Sequence, residues 1–171
     1  MRRPLFSLSL IAGLALIAGA AIPAAPPADC GVALLHPTML RDVNAARAAG
    51  RRCGVHAMAP APPVTWSRPL EGAAAAHSWD MAGRNYFDHN SPEGTQVAQR
   101  VAAKGYNWRT VGENIAGGDT TAEGVLRGWL ASPAHCENIM SPAFADMAVA
   151  CAWREGSQWG TYWTMVLAAR R

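Results

Sequence analysis

Three side chains of this 171-residue chain have types and settings suited to chemistry: His89, Glu113 and His135. His89 stands in "YFDHNSPEGT", an imidazole at the mouth of a turn signalled by Pro92 and Gly94. Glu113 stands in "TVGENIA"; in an extended segment it shares a face with Val111 and Ile115, and a carboxylate on an apolar face needs a partner. His135 stands in "WLASPAHCENIM", where Ser132 as N-cap and Pro133 at the first position open a helix. The positive helix end disfavours imidazolium there, so His135 is expected to stay neutral. Two neutral imidazoles and one carboxylate make a three-ligand set for zinc, with water in an open fourth position. The plainer alternative is that Glu113 hydrogen-bonds the histidines and orders the loop.

The separations, 24 and 22 residues, match no local metal motif, so only a fold can bring the three together. "HCE" at 135–137 resembles the H-x-E of zinc deaminases, but no P-C-x-x-C follows. Neither H-E-x-x-H nor G-x-S-x-G occurs. His77 shares a helix face with Met81 and reads as a core or core-edge residue. His36 and His56 border prolines or loops and read as surface, and the tryptophans read as core.

The elements that must position these residues are legible in outline. Leu34 to Ala49 has a helical apolar spacing, with Leu40, Val43 and Arg47 on one face and Gly50 as the stop. A second helix is expected from Pro69 to Asn85, with Leu70, Ala74, His77 and Met81 on its inner face. A third runs from Thr95 to Lys104. Thr120 with Glu123 predicts a capping box for a fourth, and Ser132-Pro133 starts a fifth. "MAVACAW" alternates and "TYWTMVLAA" reads as a mostly buried strand, so two late antiparallel strands are expected. Helices first and strands late point to one α+β domain with helices on both faces of a small antiparallel sheet.

The N-terminus reads as an appendage. Arg2 and Arg3, an apolar run from Leu5 and Ala18-Gly19-Ala20 predict a signal peptide over 1–20, followed by a Pro/Ala-rich disordered lead-in over 21–33 and the domain over 34–171. Arg2-Arg3 loosely suggests twin-arginine export. Asp29 before Cys30 argues against a lipid anchor. Cleavage after Ala20 lowers the net charge from +3 to +1, so no broad field favours nucleic acid, and no stable membrane span remains. The four cysteines, Cys30, Cys53, Cys136 and Cys151, predict two disulfides in an oxidising compartment, periplasmic or extracellular. Proximity in the chain favours Cys30–Cys53 and Cys136–Cys151.

Five windows occur in a telling order: "VNAAR" at 43–47, "HSWDMAGRNYFDHNSPEG" at 77–94, "GENIA" at 112–116, "WLASPAHCENIM" at 129–140 and "YWTMVLA" at 162–168. Over roughly 34–168 the chain resembles a bacterial, secreted SCP-like member of the CAP superfamily of cysteine-rich secretory proteins, venom antigens and pathogenesis-related proteins. The resemblance implies an α-β-α sandwich with a cavity lined by His89, Glu113 and His135, which in some relatives binds divalent metal. Tyr162 stands where animal and plant members place a second His. The functions it implies are a secreted module binding a small molecule or lipid, a metal-dependent hydrolase with Glu113 as base, or an envelope interaction protein.

Overall fold

The computed structural model describes residues 27–30 and 32–171. The expected signal peptide and most of the lead-in lie outside the described residues. The elements run β1 (Ala28–Asp29), α1 (Val32–Ala49), β2 (Arg51–Cys53), β3 (His56–Met58), β4 (Thr65–Trp66), α2 (Arg68–Arg84), α3 (Val97–Ala103), β5 (Trp108–Gly117), α4 (Ala122–Ala131), α5 (Pro133–Met140), β6 (Asp146–Trp153) and β7 (Thr161–Arg170). The main sheet orders as β1-β6-β7-β5, with β4 also pairing with β6. β6 and β7 pair antiparallel, as their alternation predicts, and β5 pairs antiparallel with β7. β2 and β3 form a separate hairpin.

Strand alternation divides the core between two helical layers. Met147, Val149 and Cys151 of β6 and Met165 and Leu167 of β7 face α1, α4 and α5. Ala148 and Ala150 of β6 and Val166 and Ala168 of β7 face Leu70, Ala73 and Ala74 of α2 and Val101 of α3. Small residues on β6 let α2 approach closely. The result is the expected α-β-α sandwich. No helix among the described residues is long and apolar enough to cross a membrane.

Two details differ from expectation. Thr121, not Thr120, caps α4, its hydroxyl accepting the Gly124 N–H at 3.0 Å. Trp129 and Trp163 are core, but Trp79, Trp153 and Trp159 are exposed. α2 ends at Asn85, whose left-handed backbone (φ 55°) suits an asparagine.

The cysteine pairing also differs from expectation. The bonds are Cys30–Cys151 and Cys53–Cys136, not Cys30–Cys53 and Cys136–Cys151. Sheet register explains the first. β1 lies antiparallel to β6 with Asp29 opposite Ala152, so Cys30 comes to Cys151. That pairing also makes Ala28–Asp29 an ordered strand where a disordered lead-in was expected. The second bond ties the end of β2 to α5.

Arg47 fills the buried end of the α1 stripe. Its guanidinium is wholly buried and donates to the carbonyls of Pro62 (2.7 Å), Ile139 (2.6 Å), Ser141 (2.9 Å) and Phe144 (3.3 Å). Two of these belong to the C-terminal end of α5, where orphan carbonyls and the helix dipole favour a cation.

Both margins of the sheet are covered. β6 carries β4 at one end and β1 at the other, each two residues long. On β5, Asn138 Nδ2 donates to Glu113 O at 3.3 Å and Trp129 Nε1 to Ile115 O at 3.1 Å.

Candidate functional site

The site forms where the loop after α2 meets β5. Strand alternation sends successive residues of "GEN" to opposite faces. Gly112 lies against Phe144, where an added Cβ would come within 2.8 Å of the ring. Asn114 points to the α5 side; its Nδ2 donates to His135 O at 3.0 Å and its Oδ1 accepts from Asn138 Nδ2 at 2.9 Å. Glu113 points to the α2 side with a side chain only 2% exposed.

The Glu113 carboxylate is fully engaged. His89 Nδ1 lies 2.9 Å from Oε1, and Arg100 Nη2 donates to Oε2 at 2.7 Å. Arg100 also donates to the carbonyls of Thr95 (2.7 Å) and His89 (3.0 Å), which fastens the loop to α3. His77 is buried, donates through Nε2 to Asp88 O at 2.9 Å and approaches Glu113 Oε1 to 3.9 Å. A second tie comes from Arg84, which pairs with Glu93 of the loop and Asp80 of α2. Arg84 holds the Glu93 carboxyl down at about 2.

His89 is half exposed, its side chain 53% accessible. The hydrogen bond it donates to Glu113 raises its pKa above the usual 6.5. His135, at the start of α5, is shifted down, first by burial and then by repulsion from His89. The expected direction for His135 therefore holds, but the leading cause is burial rather than the helix end. The structure ties His135 to β5 through its backbone carbonyl, which accepts from Asn114, and among the described residues its ring makes no hydrogen bond to His89 or Glu113. His77 is lowered, by burial foremost.

Opposite shifts predict an ordered titration. His89 should titrate above 6.5 and His135 below it when ring protons are followed by NMR against pH. His89→Ala should raise the His135 value part of the way back, because it removes the repulsion and leaves the burial. Identical values for the two rings would refute the coupling. For stability, the raised His89 contributes below about 6.5 and loses its effect as pH rises through its folded value. The depressed His77 and His135 act oppositely: their contribution is present above about 6.5 and is lost as pH falls through their folded values.

The arrangement does not suit zinc. Arg100 sets a fixed cation on the carboxylate, and Glu113 favours the charged form of His89 rather than a free lone pair. Among the described residues no three His, Cys, Asp or Glu side chains are grouped to hold a metal ion. A cleft of about 280 Å3 opens beside the cluster, lined by Ala76, His77, Asp80, Arg84, Ser91, Glu93, Thr95 and Arg100.

Sequence reasoning missed Arg100 and underrated His77. Arg100 follows Val97 by three residues and precedes Val101, at the border of the apolar face of α3. An arginine so placed calls for a buried carboxylate, and this was the readable signal. Tyr162, at the place of the second family His, is buried and donates to Asn85 Oδ1 at 3.1 Å. His77 of α2 brings a further imidazole to Glu113 instead. His36 stacks on Trp66, and exposed His56 pairs with Glu137 at 2.6 Å, both away from the cluster.

A family model described as "CAP: Cysteine-rich secretory protein family" matches residues 40–167. The Bacillus subtilis (strain 168) protein YkwD is 37% identical over 97 residues, covering 57% of this chain and 37% of that protein. The chain thus spans well under half of that relative. Among solved structures, an extracellular Bacillus anthracis protein containing an SCP domain superposes with a TM-score of 0.64 at 24% identity, over 80% of this chain and 40% of that one. An outer surface protein of Borrelia burgdorferi superposes at 0.59 with 17% identity, over 65% of this chain and 80% of that one. Both likenesses are of fold.

Proposed function

The chain belongs to the cysteine-rich secretory protein family, and on that footing we propose that it is an exported binding domain. In this reading the outer edges of His89 and His135 meet a ligand of the cell surface or envelope, while Glu113 and Arg100 hold the loop in place. One observation carries it: Glu113 is buried with both oxygens engaged, whereas His89 offers half its ring to solvent. Glu113 is then an anchor rather than a general base. The pair His89–Glu113 has the orienting geometry of a hydrolytic dyad, but Ser91, the hydroxyl of the same loop, accepts the Thr95 N–H and bonds to Glu93. Among the described residues that leaves no nucleophile aligned with His89, and we favour binding. The two disulfides and the names of the relatives support export.

Glu113→Gln tests the assignment. It should cost about 2 kcal/mol of stability, because two charge-assisted hydrogen bonds weaken. The His89 ring should lose its upward shift, and the loop amides of 88–95 should exchange faster with solvent. An unchanged His89 titration would remove the anchor. Zinc binding at stoichiometric concentration, abolished by His89→Ala and His135→Ala, would replace this reading with a metal site.

A further inference from the structure

An exposed aromatic pair stands on the same face of β5 as the histidine cluster. Trp159 is 41% exposed and Phe87 37% exposed, and their rings lie 5.3 Å apart at 45°. The indole rests on Gly117: a Cβ there would come within 2.8 Å of its Cγ and 2.9 Å of its Cδ2. The loop carrying it is fastened to the end of α2, with Gln158 N donating to Asn85 Oδ1 at 2.7 Å and Arg154 donating to Ala82 O at 3.2 Å and to Gly83 O. Trp159 is therefore a rigid, half-open platform rather than a loose surface ring.

Its place is what gives it meaning. Gly117 and Glu113 share a face of β5 four residues apart, roughly 13 Å at the rise of a strand. Phe87 and His89 leave the same short stretch of the loop, one toward Trp159 and the other toward Glu113. A tilted aromatic pair and the half-exposed His89 imidazole thus border the same face of β5. We propose that this face is a binding site for a short, extended oligosaccharide, one sugar ring stacking on Trp159 with the Phe87 edge beside it and another hydrogen-bonding His89.

The chemistry favours a sugar over other occupants. A sugar ring has a C–H face for an aromatic plane and hydroxyls that both donate to and accept from imidazoles. The exposed aromatic surface here is the two rings of Trp159 and Phe87, with the hydrogen-bonded Asn85 and Gln158 beside them. That is too small for a protein interface, which takes roughly 800 Å2 per partner, and it has no continuous apolar wall for an acyl chain. The inference rests on the binding reading of the histidine site and adds the class of ligand.

The experiment is a titration of the full chain with tri-N-acetylchitotriose and with cellotriose, followed by the Trp159 indole N–H and the His89 ring in NMR. Saturable shifts at both are expected with at least one sugar. Trp159→Ala should weaken binding at least tenfold while the His89 and His135 titrations stay as in the parent. Gly117→Ala keeps the indole but displaces it, and should also weaken binding. Thermal melts of both variants separate lost binding from lost fold. No shift with either sugar up to its solubility overturns the proposal. So does an indole that responds only to phosphatidylcholine vesicles, or binding unchanged in both variants. If the sugars fail while Glu113→Gln still resets His89, the platform falls and the histidine site stands. If the sugars bind and that substitution leaves His89 unmoved, the anchor role of Glu113 falls alone.

Discussion

Arg47→Ala should destabilise the domain by about 4 kcal/mol, close to the whole stability of a marginal fold. Among the described residues the guanidinium has no carboxylate partner; it is held by four carbonyls from the segment after β3, the end of α5 and the segment before β6. Truncation leaves those oxygens buried without a donor and opens a cavity in the helical layer. Arg47→Lys should recover only a minor part, since an ammonium cannot reproduce the fork. Urea unfolding decides it, and a loss below about 1 kcal/mol would show that water replaces the guanidinium freely.

Replacing Cys53 and Cys136 by serine should remove roughly 4 kcal/mol, the chain-entropy value for a long loop. The bond closes 83 residues, and both sulfurs sit in a buried cluster with Met140. The Cys30–Cys151 bond closes 121 residues and encloses the first, so the two losses should not add. Reduced and oxidised midpoints of each double variant in guanidinium test this. Equal midpoints for parent and variant would mean that packing alone positions α5. If the chain is exported unfolded and N-terminus first, Cys30 and Cys53 meet an oxidant before either true partner exists. Correct pairing therefore depends on isomerisation or on folding that precedes oxidation.

What was legible in the sequence followed repeating patterns. The inner faces of α1 and α2, the alternation of β6 and the buried run of β7 all appear as expected, and Arg47 falls on the apolar face where its spacing put it. Alternation also placed Glu113 on an inner face, and burial made a partner obligatory. It did not say which partner. Arg100 arrives from a helix whose approach to β5 is set by packing, and His77 from the opposite side of the loop. The disulfides failed for the same reason: chain proximity says nothing about which strands become neighbours, and the pairing of β1 with β6 decided Cys30. The exposure of Trp159 was illegible because it depends on Gly117, 42 positions away on β5.

The covered margins of the sheet bear on how this protein behaves in a crowd. An open strand edge recruits other chains into shared sheets, and an oxidising compartment outside the cytoplasm has few chaperones to undo them. Here one margin is closed by two stubs, each too short to template a partner. On the other, Trp129 and Asn138 sit on the carbonyls of Glu113 and Ile115 that a visiting strand would seek. The same asparagine also holds Asn114 and through it the start of α5, so resistance to sheet-by-sheet assembly and the placing of His135 depend on one side chain.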